Sequence, residues 1–378
     1  MKLAMVLFNW FPHGGLQRDC RGIGETLVAR GASCDVLCMS WEGPVPEGMR
    51  PVIVESAGGS KVARRRAFAA FVRQHLSENQ YDMVLGFNRV PGLDFYYAAD
   101  TCFAWKAYRE RSWWYRLTPR CRQYLAFERA VLNGNAETRI LLLSPLQRQE
   151  YLSFYPDAEN RMVDLPPGIE RRMAANEEAH ALRQSLRHEF RIKDEQLLVL
   201  QVGSGFRTKG VDRSLRAVAA LPDSCKSRVR LFVVGRDKAE KYMQQAASLG
   251  IESCVTFISA RDDLPRFYQG ADVLLHPSRK ESAGMVILEA IVAGLPVLTT
   301  ASCGYAFHVK QANAGLVVKV PFRQEALNQA LAEILESPQR PTWQENGRHY
   351  GRTADLYDMP VRVASMVEDW IREKAGGA

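Results

Sequence analysis

Residues 271–300, ADVLLHPSRKESAGMVILEAIVAGLPVLTT, constrain the fold of this chain more than any other stretch. The apolar run after Asp272 reads as a short buried parallel strand, broken by Pro277 and the Ser278 to Lys280 run. A helix starts near Gly284, with Met285, Val286, Leu288, Ile291 and Val292 at helical spacing. Gly294 and Pro296 stop it before a second strand, Val297 to Thr300. Strand, loop, helix and strand in this order form an α/β unit. The run is apolar enough to mimic a membrane span, but Glu289, Gly294 and Pro296 inside it point to a buried core helix.

The acidic residues fall at informative places. Glu281 sits in the loop at the carboxyl end of the strand, and Glu289 lies one turn beyond the first free amides of the helix, on the face of Met285. A helix N-terminus offers unpaired N–H groups and a positive pole to a phosphate, and flanking carboxylates accept hydrogen bonds from sugar hydroxyls. This spacing predicts a nucleotide-sugar site. The plainer reading makes Glu289 a solvated helix position and Glu281 a loop charge. The apolar flanks of MVILEAIVAGL leave little polar face and favour a buried carboxylate.

Strand and helix patterns alternate through the rest of the chain. Leu3 to Phe8, Val36 to Met39, Val52 to Val54, Met83 to Phe87, Phe95 to Ala99 and Ile140 to Leu143 read as strands. Leu16 to Arg30, Val62 to Leu76, Arg120 to Leu132 and Pro145 to Phe154 read as helices. Pro166-Pro167-Gly168 interrupts the pattern. A second alternation runs through Leu197 to Val202, Leu231 to Val234, Val255 to Ile258, Val273 to His276, Val297 to Thr300 and Leu316 to Val318. The expectation is two doubly wound domains joined by a stiff hinge near Leu165 to Glu170, with a last helix from Pro360 to Lys374 whose stripe is Val361, Ala364, Val367 and Ile371. Ligands of open α/β sheets bind beyond the carboxyl ends of the strands, so the two domains should face an interdomain cleft.

Composition narrows less. A length of 378 residues, 47% hydrophobic and 24% charged, excludes a disordered chain. The net charge of +8 permits nucleic acid, an anionic membrane or a phosphorylated substrate. The eight cysteines form no CxxC pair and no zinc spacing, which predicts reduced, mostly buried thiols in a cytosolic protein. Met1 to Trp10 lacks a small-residue cleavage site and reads as a first strand rather than a signal peptide.

The Glu281 and Glu289 spacing within HPSRKESAGMVILEAIVAGLPVLTT resembles the Glu-x7-Glu signature of retaining GT-B glycosyltransferases. FPHGGLQRD, GFNRVPGLDFYYAAD, LPPGI, QVGSGFRTKGVDRS and TTASCGYA, in this order, resemble the lipopolysaccharide core glucosyltransferase I family, whose members add a hexose to inner-core heptose. The resemblance implies a GT-B fold. Residues 1–167 would be the acceptor-side Rossmann-like domain, 168–357 the nucleotide-sugar domain, and 358–378 a helix returning to the first.

Candidate site residues follow group by group. Gly14 and Gly15 follow the first strand and open a helix, where bare backbone can approach a phosphate or sugar; a plain turn reads as well. By resemblance, Asp19 and Asp100 face the donor sugar or the acceptor hydroxyl, and capping or surface roles stand beside that. Lys209 would neutralise charge on a leaving diphosphate. The family carries an arginine directly before its Lys-Gly pair, whereas here Thr208 takes that place and the arginine is Arg207. Arg261 is assigned to base stacking by resemblance, against an ordinary loop arginine. By the same resemblance, Glu281 contacts donor-sugar hydroxyls, the amides of Gly284, Met285 and Val286 hold the diphosphate, and Glu289 binds the ribose. Glu281 as nucleophile or general base is the competing role. No Asp-x-Asp pair occurs, so no metal and no cofactor are expected beyond the donor substrate, UDP-glucose or another UDP-sugar.

Between Cys102 and Arg122, six cations interleave with Phe103, Trp105, Tyr108, Trp113, Trp114 and Tyr115. Rings with arginines suit an anionic bilayer interface, which predicts peripheral attachment to the inner face of the inner membrane, where the lipopolysaccharide inner-core acceptor would be met. A loop packed on the core is the plainer alternative, and no motif supports nucleic acid. Lys61, Arg64, Arg65 and Arg66 form a second basic cluster that would meet an acidic acceptor or simply face solvent. The overall expectation is a retaining, metal-independent UDP-sugar hexosyltransferase. A UDP-sugar epimerase, active without acceptor, and a non-catalytic membrane- or sugar-binding module are the other readings.

Overall fold

The computed structural model describes residues 1–12, 14–54 and 59–376, so His13 of the Pro12 to Gly15 turn lies outside the described residues. The chain divides into two compact units, Met1–Gly168 with Tyr357–Ala378, and Ile169–Leu356.

In the first unit the described residues form a seven-stranded sheet of β1 (Lys2–Val6), β2 (Ser33–Cys38), β3 (Met49–Ile53), β4 (Met83–Gly86), β5 (Phe95–Tyr97), β6 (Arg139–Leu142) and β7 (Met162–Asp164). The order is β3-β2-β1-β4-β5-β6-β7, with every pairing parallel. The order reverses beside β1, as in a doubly wound sheet. Crossovers use α1 (Gly15–Ala29), α2 (Lys61–Glu78), the single turn α3 (Phe103–Trp105), α4 (Pro119–Leu132) and α5 (Pro145–Leu152). Ser60, Thr118 and Ser144 cap α2, α4 and α5 with side-chain oxygens, and Pro119 and Pro145 open α4 and α5 without losing a helical hydrogen bond. Strand β7 was not read from the sequence. It has three residues at the sheet edge, too few for an alternation to register.

In the second unit the described strands are β8 (Leu197–Val202), β9 (Val229–Val234), β10 (Val255–Ile258), β11 (Val273–His276), β12 (Val297–Thr300) and β13 (Gly315–Val318), all parallel in the order β10-β9-β8-β11-β12-β13. The helices are α6 (Ala179–Glu189), α7 (Phe206–Lys209), α8 (Val211–Ala219), α9 (Asp223–Lys226), α10 (Glu240–Ser248), α11 (Leu264–Gly270), α12 (Met285–Val292), α13 (Ala306–Gln311), α14 (Gln324–Glu336) and α15 (Arg340–Thr353). Of these the sequence pattern marks α12, six of whose residues are buried; α8, with six buried as well, was not anticipated.

The last helix, α16 (Met359–Gly376), belongs to the first unit and packs on α1. Its buried face is Met359, Val363, Ala364 and Val367, and Val361, expected on the buried stripe, is 48% exposed. The face is set by what it meets: Arg30 pairs with Glu368 at 3.0 Å, and Trp370 lies edge-on to Phe95 at 5.9 Å. All eight cysteines are free and seven are buried.

Candidate active site

The loop after β11 is built by its neighbours. Gly210 has φ +72°, and a Cβ there would lie 2.2 Å from the Pro277 carbonyl oxygen, so only glycine lets the start of α8 approach so closely. Buried Arg213 donates to the carbonyls of Pro277 and Ser278 at 3.2 Å each, and the Arg279 amide donates to the Thr208 carbonyl at 2.8 Å. On the other side Glu281 forms a short bridge with Cys303: its amide donates to Ser302, and the Gly304 amide donates to its carbonyl. The 206–210 turn and the 277–281 loop are thereby tied together.

The result is a contact between two candidates 72 residues apart: the Lys209 ammonium pairs with Oε2 of Glu281. The other oxygen, Oε1, lies 2.7 Å from Nε2 of His276, the last residue of β11, which is wholly buried. Burial alone would raise the Glu281 carboxyl. The charges of His276 and Lys209 and the hydrogen bonds from both outweigh it and hold the group down to about 2. Glu281 is a fixed anion here, which makes it a weak general base, while the nucleophile role weighed beside that from sequence also calls for an ionised carboxylate.

Just beyond, α12 starts at Gly284 with φ +102° and no side-chain cap, leaving its first amides open to a ligand. A Cβ on Gly284 would lie 2.3 Å from Sγ of Cys303. Met285 and Val286 are half-buried at the helix start. Glu289 is 2% exposed and accepts from the Tyr268 hydroxyl at 2.7 Å, so it is no solvated helix position.

Two other candidates in this unit stand differently. Arg207 is exposed, and no partner among the described residues holds its guanidinium. Arg261 is clamped by Asp263 through Nε at 2.7 Å and Nη2 at 2.8 Å, with its guanidinium 5.3 Å from the Phe267 ring centre. The clamp uses the edge of the guanidinium and leaves its flat face as the surface a base could stack on.

In the first unit the candidates sit at the carboxyl ends of the strands. Gly14 precedes α1 in extended conformation, and Gly15 has open space where a Cβ would stand. Asp19 is buried and accepts from the Tyr97 hydroxyl at 2.8 Å. Asp100 lies three residues past the end of β5, which is shorter than expected; its carboxylate is 3.8 Å from Arg89. A cavity of about 660 Å³ lined by Asp94, Arg139 and Trp370, at the opposite ends of β5 and β6, contains none of these groups.

Comparison with known proteins gives this geometry its context. Residues 183–350 match the family model of glycosyl transferases group 1. The lipopolysaccharide glucosyltransferase WaaG of Escherichia coli K12 is 44% identical over 97% of this chain and 98% of its own. The chain belongs to this glycosyltransferase family. The crystal structure of WaaG superimposes with a TM-score of 0.93 over 97% of this chain and 99% of that one, which makes the fold GT-B. Anabaena HepE, solved with UDP-glucose, shares the fold at a TM-score of 0.73 and 16% identity over the full length of both chains.

For this family member, sequence reasoning missed His276 and Tyr268. His276 was legible as a polar residue closing an apolar strand, but its role depends on Glu281 folding back onto it. Tyr268 carries no local signal at all. His276, Glu281 and Cys303 each offer one ligand atom within 4.8 Å of the others. In this arrangement each is engaged otherwise: both Glu281 oxygens accept, from His276 and Lys209, and the Cys303 thiol, pushed up by burial, donates to the Ala283 carbonyl at 3.0 Å.

The basic aromatic segment divides in two. Phe103 is buried and stacks on Tyr124 at 4.9 Å, and Trp105 and Tyr115 pack against the core. Trp113, Trp114 and Leu117 are 67%, 59% and 56% exposed, and Tyr108 is 41% exposed. The segment is anchored by Glu128, fully buried in α4, which accepts from the amides of Phe103 at 2.6 Å and Ala104 at 2.7 Å and pairs with buried Arg89. In the second basic cluster Arg64 and Arg66 are exposed, while Arg65 lies between the Phe8 and Tyr124 rings at 4.6 and 4.9 Å.

Proposed function

We propose that this glycosyltransferase moves glucose from UDP-glucose to heptose of the lipopolysaccharide inner core, with retention and without a metal, at the cytoplasmic face of the inner membrane. The observation that carries the reading is the Lys209–Glu281 pair beside the uncapped start of α12. A cation and open amides suit a diphosphate, and a fixed carboxylate suits sugar hydroxyls. A relative named a lipopolysaccharide glucosyltransferase supports glucose as the sugar and lipopolysaccharide as the acceptor, and HepE's complex with UDP-glucose fits that donor.

In this reading Lys209, with Arg207, balances charge on the leaving UDP, the amides of Gly284, Met285 and Val286 hold the diphosphate, and Glu289 takes the ribose hydroxyls. Glu281 orients the hexose, and Asp19 and Asp100 serve the sugar and the acceptor. The new bond to C1 forms on the face from which the diphosphate departs, and a phosphate oxygen takes the acceptor proton. The exposed Trp113, Trp114 and Leu117, among arginines, would seat the protein on anionic lipid; no helix of the described residues is long and apolar enough to cross a membrane.

The test is turnover of a panel of UDP-sugars on purified core acceptor with the linkage read by NMR, in the presence of chelator. An α-linked glucose made at undiminished rate supports the reading; inverted product, or loss of activity with chelator, overturns it. Lys209→Ala should lower kcat by about a hundredfold or more.

A further inference from the structure

We propose that His276 is a positioning residue for Glu281: it fixes one carboxylate oxygen permanently, so that Lys209 alone exchanges when the donor diphosphate arrives. The inference rests on the donor-site reading above and adds a residue to it. Each Glu281 oxygen accepts one hydrogen bond in the ligand-free protein, and of the two donors the Lys209 ammonium is the one a diphosphate would draw away.

The two partners are unequal. Lys209 ends a flexible chain from a four-residue turn, and its side chain is 18% exposed. The His276 side chain is 0% exposed, and its backbone is locked in the sheet. Its carbonyl accepts from the Thr299 hydroxyl and the Ser278 amide, both at 2.9 Å, and it pairs in register with Thr299. An ammonium drawn to a diphosphate leaves readily, and a ring inside the sheet does not.

The ring also has one task only. Its Nδ1 is buried and has no hydrogen-bond partner among the described residues. Glu281 is ionised and can only accept, so the hydrogen lies on Nε2. The imidazole acts here as a fixed donor to Oε1 of Glu281. Once Lys209 turns to the diphosphate, the Nε2–H hydrogen bond keeps Glu281 ionised and aimed. Without it the buried carboxylate would lose both partners, and would rotate or take up a proton.

The experiment compares His276→Leu with His276→Gln, whose side-chain amide can present an N–H near the position of Nε2. Displacement of Glu281 predicts that His276→Leu loses about a hundredfold in kcat while His276→Gln stays within about fivefold, with UDP affinity unchanged in both. In His276→Leu the Glu281 carboxyl is less strongly held down, so loss of activity from its protonation should enter the rate profile at higher pH than in wild type. Crystal structures of both variants report the position of Glu281 without depending on turnover: displaced in the leucine variant, retained in the glutamine variant. Wild-type kcat in His276→Leu, equal loss in both variants, or an undisplaced Glu281 in the leucine variant overturns the proposal. A wild-type protein that turns over no UDP-sugar overturns the donor reading instead, and the two crystal structures still decide the role of His276.

Discussion

Glu281 and His308 show that the outcome of burial depends on what it is set against. Both lose solvent, yet Glu281 has two donors and stays ionised down to about 2. Its ionisation therefore contributes no activity loss between pH 5 and 8, and a wild-type acid limb in that range must come from another group. His308, 6% exposed with Nδ1 2.7 Å from the Tyr350 hydroxyl, has no charge to offset desolvation, and burial lowers it from 6.5 to about 4. In that window the unfolded chain binds a proton that the folded one refuses, so stability is full above pH 6.5 and falls as pH drops toward 4. Urea unfolding should show wild type losing about 3 kcal/mol more than His308→Gln across that range. Neither shift was legible in the sequence, because each depends on the tertiary surroundings: the Lys209 and His276 contacts for Glu281, and burial for His308.

At the scale of elements, the helix starts carry the chemistry. Glycine at 284 is required by a positive φ and by contact with Cys303, so Gly284→Ala should cost about 1–3 kcal/mol in denaturant unfolding and weaken UDP binding in calorimetry. The sequence showed this helix and its end clearly, since MVILEAIV is bounded by glycines. It did not show that Glu128, inside an ordinary amphipathic helix, is the buried acceptor for the amides that begin the basic aromatic segment. Glu128→Ala takes away the close partner of buried Arg89, leaving it only Asp100 at 3.8 Å, and should destabilise the protein by about 3–5 kcal/mol. Limited trypsin digestion should then cut first between Lys106 and Arg122. A wild-type digestion pattern would mean that the anchor holds without this carboxylate.

For the whole molecule, each unit has its own parallel sheet and apolar core. The second unit is one continuous stretch, Ile169–Leu356, and holds Lys209, His276, Glu281 and Glu289. A fragment of residues 169–356 should therefore fold cooperatively and bind UDP by calorimetry, and a fragment that aggregates or shows no UDP heat would tie the site to the first unit. The intact protein should co-sediment with anionic but not neutral vesicles, and Trp113→Ala with Trp114→Ala should reduce that binding. What the sequence determined by itself is the alternation of strands and helices, the two-part division near Gly168, and the glutamate pair around one helix, because short-range periodicity and turn chemistry encode them. Only tertiary structure decided which face α16 buries, that Arg261 is held edge-on by Asp263, and that Lys209 and His276 close on opposite oxygens of Glu281. Those contacts join residues from separate strands and helices, and no local pattern in a chain records which distant side chain will complete a hydrogen bond.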